Sequence, residues 1–171
     1  IDADRQRHLE MLLAVDEGFA RLVQKLRDTG EINNTVIVYT SDNGYSFGEH
    51  ALSSKGTLFD ESIKVPFNFF DGRVPSGQIV DTPVSSIDLA PTFVQMAGES
   101  VEPSMNGVSL TPLLNGQPLG REALYFTNVR RTEVGVRTDR YKYIEQRTGS
   151  PELYDLWTDP YEMSNLIDAP A

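Results

Sequence analysis

The stretch Thr40-Ser-Asp-Asn-Gly-Tyr-Ser-Phe-Gly-Glu-His-Ala-Leu-Ser-Ser-Lys55 gathers the side chains best suited to chemistry. Asp42 and Asn43 set a carboxylate beside an amide oxygen, two hard donors of low combined charge that suit Ca2+ or Mg2+ better than a soft metal. The same Asp-Asn-Gly tripeptide is also ordinary turn chemistry. Lys55 follows thirteen residues after Asp42. An ammonium repels a cation, so a lysine returning to a cation site makes sense when both grip one anion, such as a sulfate or phosphate ester. The plain alternative is a solvated surface lysine. His50, one of two histidines, has three roles open to it: proton donor to a leaving oxygen, orienter of a ligand, or structural residue. Gly44-Tyr-Ser-Phe-Gly48 also matches the G-x-S-x-G elbow of serine hydrolases. That reading is set aside, because Ser41-Asp-Asn43 separates the first glycine from the strand and no histidine follows His50.

Elements of two kinds must position these groups. Leu9, Leu12, Leu13, Phe19, Leu22, Val23 and Leu26 fall on one stripe of 3.6-residue period, which predicts an amphipathic helix over 5–28 with Gly30 as its stop. Asp16 lies on that stripe, where a carboxylate needs a partner. Thr35-Val-Ile-Val-Tyr-Thr40 reads as a strand buried on both faces, the pattern of a parallel sheet covered by helices. Asp42 and Asn43 then stand just beyond its carboxyl end, where open α/β sheets bind ligands. Val65 to Phe70 reads as a second strand that Pro66 confines to a start or an edge. Asp71-Gly72 and Pro75-Ser-Gly77 mark turns. Ser86 to Ala97 is a short helix with Asp88 as N-cap and Gly98 as stop. An irregular connection leads to a subdomain boundary near Gly120. Beyond it, Leu124–Thr127, Val134–Arg137, Tyr141–Ile144 and Leu153–Leu156 predict an antiparallel meander.

Composition narrows the function classes. The 171 residues are enough for one sizeable core. A formal charge of −10 disfavours a general nucleic-acid binder. Residues 121–147 run the other way at +3, a basic face that includes Arg130, Arg131, Arg137 and Arg140. With no cysteine, disulfides, thiolate zinc sites and cysteine nucleophiles are excluded within the chain. No apolar run approaches the roughly 20 residues of a membrane span. The compartment stays open, with periplasm or secretion favoured over cytoplasm.

Several motifs occur here in one order: Glu10-Met-Leu-Leu-Ala-Val-Asp-Glu-Gly18, Gly30 to Gly44, Gly48-Glu-His50, Lys55-Gly-Thr-Leu-Phe-Asp-Glu-Ser62, Val65-Pro66, Ile87-Asp-Leu-Ala-Pro-Thr92, Asn106-Gly-Val-Ser-Leu110, and Glu152-Leu-Tyr-Asp-Leu156 with Asp159-Pro160 and Asn165-Leu166. Together they resemble the C-terminal half of sulfatases of the alkaline phosphatase superfamily. The resemblance implies an α/β fold with a mixed, mainly parallel sheet and flanking helices, present in part over residues 1–120. A small antiparallel sheet subdomain follows over 121–171. It matches Asp42 and Asn43 to two ligands of the active-site cation, calcium with magnesium as the alternative. Lys55 matches a lysine that contacts the sulfate and the leaving oxygen, and His50 joins it as a catalytic and substrate-binding candidate. The family's nucleophile is a formylglycine made within a Cys/Ser-x-Pro/Ala-x-Arg motif, which these 171 residues do not contain. The expectation is a fragment carrying half of the metal and sulfate site and inactive alone, with the nucleophile in a missing N-terminal half.

Three readings follow. The first is a sulfuric ester hydrolase acting on a small sulfate ester or a sulfated glycan, with the N-terminal half as its other partner. A phosphodiesterase or phosphonate monoester hydrolase of the same superfamily is the second. The third is a catalytically inactive, sulfatase-derived module whose basic segment binds a sulfated glycan or a protein.

Overall fold

The structure, a computed structural model, describes residues 2–74 and 77–167. The chain divides into two compact units, one of Ile1–Lys55 and Lys64–Gln78, the other of Gly56–Ile63 and Ile79–Ala171. Gly120, the boundary read from the sequence, lies inside the second unit.

The first unit opens with helix α1, Asp2–Asp28, whose acidic first turn (Asp2, Asp4) and basic last turn (Lys25, Arg27) oppose the helix dipole favourably. Leu9, Leu12, Leu13 and Leu22 are present on the expected stripe and all remain about half exposed or more. Phe19 meets the Tyr39 ring edge-on at 5.9 Å, which joins the helix to strand β1, Val36–Thr40. Asp16, read as a carboxylate needing a partner, is instead solvent-exposed, so water solvates it. Strand β1 is half-buried and pairs antiparallel with β2, Phe67–Asp71, in the register Val36↔Asp71 to Thr40↔Phe67. The parallel pairing expected of β1 is therefore not found in this pair, an antiparallel edge of the kind that mixed sheets carry. Pro66, with no N–H for the ladder, sets the start of β2 at Phe67. At its end the buried Asp71 takes two hydrogen bonds from the Arg73 guanidinium, at 2.8 and 2.9 Å. Those bonds hold its carboxyl below the usual range. Of the expected Pro75-Ser-Gly77 turn, Pro75 and Ser76 lie outside the described residues.

The second unit holds the meander as a four-stranded antiparallel sheet in sequential order: β3 Leu124–Thr127, β4 Glu133–Arg137, β5 Tyr141–Gln146 and β6 Glu152–Asp155. Its core joins Leu58, Ile144 and Tyr154, with Phe59, Ile63, Phe126 and Leu156 packed around them. Gly135 is the place where β4 lets the Phe126 ring lie flat against the strand. A Cβ there would stand 2.3 Å from that ring.

A set of charges pins α2, the single turn Asp60–Ile63, to this sheet. Lys142, fully buried, donates to Asp60 at 2.7 Å and pairs with Glu162; Arg137 donates to both Asp60 oxygens at 2.8 and 2.9 Å. Burial alone would raise the Asp60 carboxyl, but Lys142 and Arg137 hold it below its ordinary value. Arg140 likewise binds Asp155 at 2.7 Å, with its guanidinium 4.8 Å from the Tyr141 ring and 5.0 Å from Trp157. Arg137 and Arg140 thus leave the basic face read from the sequence, because carboxylates remote in the chain neutralise them.

Helix α3, Leu89–Met96, continues a 3-10 turn at Ser86–Asp88. Asp88 stands at the N-cap position of α3 without a side-chain bond to that helix, and Ser85 caps the 3-10 turn before it. Asp88 is the third residue of a capping box and accepts the Ser85 N–H at 2.8 Å. Fully buried, it also accepts the Val108 N–H at 3.0 Å and two Arg121 nitrogens at 2.8 Å each. Gly107 makes this possible: a Cβ there would lie 2.1 Å from the Ile87 carbonyl oxygen. The Thr92 hydroxyl accepts the Leu110 N–H at 2.9 Å and so anchors the start of the single turn α4, Thr111–Leu114.

Candidate metal and anion site

The site grows from the end of β1. Past Thr40 the backbone folds on itself: the Ser41 hydroxyl donates to the Asn43 carbonyl at 2.9 Å, and the Asn43 N–H donates to Asp42 Oδ1 at 2.8 Å. These short-range bonds are the turn chemistry that the tripeptide favours. They leave Asp42 exposed and Asn43 half-buried. The Asn43 amide nitrogen donates to the Gly44 carbonyl at 2.9 Å, which fixes its Oδ1 as the free acceptor. Lys55 Nζ donates to that oxygen at 3.1 Å.

What brings Lys55 back is a closed loop. Ser46 N–H bonds the Ser54 carbonyl at 2.9 Å, and Gly48 N–H bonds the Leu52 carbonyl at 2.8 Å, so residues 46–54 fold into a narrow ladder. At its tip lies the 3-10 turn Glu49–Ala51, with Gly48, His50 and Ala51 all at positive φ. His50 therefore occupies the closed end, while Asn43 and Lys55 share the open end.

Two residues of α1 brace this loop, and the sequence reading did not find them. Arg5 donates to Glu49 Oε1 at 2.7 Å, and its guanidinium lies 5.6 Å from the Phe47 ring centre. His8 contacts the rings of Tyr45 at 5.8 Å and Phe47 at 5.0 Å. Their three-residue spacing puts both on one helix face, a signal that carries no meaning until the loop's position is known. Glu49 accepts backbone N–H bonds, its own contributing most and that of Phe47 less, and with Arg5 they hold its carboxyl below the usual range. Ser46 is fully buried, with its hydroxyl unbonded among the described residues. It sits within the ladder rather than on a strand-to-helix elbow.

The donor set fits a hard divalent cation in part. Asp42 and Asn43 offer two or three oxygens where Ca2+ takes six to eight, and Asp42 is solvent-facing with only local hydrogen bonds.

With this geometry in view, the comparisons with known proteins decide the family. Residues 48–171 match the family described as N-sulphoglucosamine sulphohydrolase, C-terminal. The chain belongs to this sulfatase family. An N-acetylglucosamine-6-O-sulfatase of Bacteroides thetaiotaomicron is 34% identical over 94% of the chain, which covers 31% of that protein. A choline-sulfatase of Rhizobium meliloti is 31% identical over 97% of the chain and 33% of its own length. Among solved structures, one in complex with its substrate D-glucosamine-2-N,6-O-disulfate superposes with a TM-score of 0.80 and 33% identity, over 92% of this chain and 35% of that one. A phosphonate monoester hydrolase of Agrobacterium radiobacter superposes with a TM-score of 0.79 and 31% identity, over 91% of this chain and 35% of that one. The sulfatase C-terminal part described here has the alkaline-phosphatase-like fold that the motifs imply. It spans about a third of the length of the relatives it matches.

Proposed function

We propose that this chain is the C-terminal part of a sulfuric ester hydrolase and carries half of its metal and sulfate site. The observation that carries the reading is the 3.1 Å bond between Lys55 Nζ and Asn43 Oδ1, beside Asp42 and just beyond the carboxyl end of β1. In this reading Asp42 and Asn43 hold Ca2+, with Mg2+ as the alternative. The bound ion supplies positive charge that draws electron density from the ester's oxygens. Lys55 donates N–H bonds to the sulfate and neutralises charge on the leaving oxygen. His50 either donates a proton to that oxygen or holds the loop tip in place. A formylglycine nucleophile and the remaining ligands come from outside these 171 residues. The half-exposed face of α1, with Leu9, Leu13 and Leu22, is where the rest of the α/β domain packs.

The substrate class we favour is a sulfated sugar, supported by the relatives that act on sulfated glucosamine. A location outside the cytoplasm is supported by an extracellular sulfatase homologue of Drosophila melanogaster, 38% identical over 63% of the chain. Among the described residues no helix is long and apolar enough to cross a membrane. The phosphonate monoester hydrolase likeness keeps a second reading, hydrolysis of a phosphorus ester. Turnover of an aryl sulfate and an aryl phosphodiester by the full-length gene product separates the two. Preference for the sulfate is expected. Preference for the phosphodiester overturns the reading in favour of the second, and turnover of neither points to an inactive binding module.

A further inference from the structure

We propose that the β3–β4 turn and the end of β5 form a second, non-catalytic contact for a sulfated glycan chain, built on Arg130, Arg131 and Arg147. The neutralisation of Arg137 and Arg140 leaves these three as the unspent charge of the basic segment. All three are exposed, and none forms an ion pair with a described residue. They share one end of the sheet. Glu133 pairs with Gln146, and the Arg147 N–H continues that ladder by bonding the Thr132 carbonyl at 2.7 Å, which sets Arg147 beside the turn holding Arg130 and Arg131.

The turn is pre-formed. Asn128 is buried, and its Oδ1 accepts the Thr132 N–H at 2.9 Å and the Glu133 N–H at 3.4 Å. Its amide nitrogen donates to the Thr132 hydroxyl at 2.9 Å. Within this clamp Arg131 adopts φ +55°, a conformation in which an arginine gains nothing over glycine for folding. A rigid turn presenting arginines loses little entropy when a polyanion lands on it.

The acidic neighbours do not cancel this charge. Glu133 is half-buried, with Asn128 and the Leu58 backbone as hydrogen-bond partners. Glu152 is engaged by Gln146 and by the Tyr154 hydroxyl. Glu145 alone remains solvent-facing on this end of β5, one carboxylate against three guanidiniums. The rest of the chain, at −13 outside residues 121–147, repels any long polyanion that runs across it and leaves a short oligoanion as the better match. The choice of a sulfated glycan over other polyanions rests on the sulfatase reading.

The test uses the full-length gene product and a heparin-derived oligosaccharide, with binding measured calorimetrically at several salt concentrations. Arg130→Ala/Arg131→Ala/Arg147→Ala should weaken binding by about tenfold or more at 0.15 M salt and lower the log–log salt slope by about two. Turnover of a small aryl sulfate should stay unchanged. Arg131→Gly, which removes charge while relaxing φ, should weaken binding without lowering the melting temperature. If the triple variant fails to fold, Arg130→Gln and Arg147→Gln singly serve the same comparison. Unchanged affinity and slope overturn the proposal, as does equal binding of a desulfated chain or of duplex DNA. A wild-type protein that binds the oligosaccharide through these arginines yet hydrolyses no sulfate ester sinks the sulfatase reading alone.

Discussion

Two lysine-and-carboxylate groups in this chain are built to opposite ends. Lys55 with Asp42 and Asn43 is exposed or half-buried, held by a single side-chain bond and local turn bonds. Lys142 and Glu162 are buried and Asp60 and Arg137 partly so, and the two acids answer the two bases. In the second group the charges are matched within the fold, Lys142 with Asp60 and Glu162 and Arg137 with Asp60. The first leaves the Asp42 carboxylate and the Lys55 ammonium solvent-facing, the capacity that the proposed function assigns to an ion and an ester. The contrast shows that a charged motif is read correctly only once it is known whether its partners lie within the fold.

The comparison can be broken most forcefully at Lys142. Lys142→Ala leaves Asp60 and Glu162 buried beside one arginine and should destabilise the protein by about 3–5 kcal/mol in denaturant unfolding. A loss near that of a surface residue would mean the cluster is solvated. Lys55→Ala should do the reverse: turnover of the aryl sulfate by the full-length product should fall by about 100-fold or more, with stability within about 0.5 kcal/mol of wild type. Unfolding caused by Lys55→Ala would show that the loop, too, is structural.

Acid should separate the groups further. Asp60 is depressed in the folded state, so its contribution is present above the ordinary aspartate range, near pH 4, and disappears as pH falls through the lower folded value. Glu162 runs the other way. Burial lifts its carboxyl, so it takes up a proton first and adds slightly to stability before Asp60 titrates. A melting-temperature profile should therefore fall steeply only in the acid limb below about pH 4, and Asp60→Asn should flatten that limb. The smallest effect is expected from Arg5→Ala. Its bond to Glu49 joins side chains that are 52% and 32% exposed, so stability should change by under about 1 kcal/mol. Any change in turnover would then report loosening of the loop that carries Lys55.

Legibility in the sequence followed locality. The long helix, β1 and the four meander strands were visible because apolar period, β-branched runs and turn residues act over a few positions. The proximity of Asn43 and Lys55 was inferred from a charge argument, and the closed 46–54 loop supplies its geometry. Long-range partnership was not visible. Lys142 and Arg137 find Asp60 across 82 and 77 residues, so Arg137 reads as part of a basic face when its partner lies within the fold. Asp88 stands at the cap position of α3 that the sequence predicts, but its role as receptor for Val108 and Arg121 depends on segments 20 and 33 residues away and is not visible locally. The motifs that carry the family likeness are largely of this second kind. Leu58, Asp60, Thr92, Gly107 and Asp155 hold the fold, while Asp42, Asn43, His50 and Lys55 stand as the candidates for the reaction.

The most direct test is a crystal structure of the full-length gene product with calcium and a slowly hydrolysed sulfate ester. The account predicts an ion about 2.3–2.6 Å from oxygens of Asp42 and Asn43, with the Lys55 ammonium on a sulfate oxygen. Both side chains turned to bulk water with no ion beside them, and Lys55 away from the ester, would contradict it.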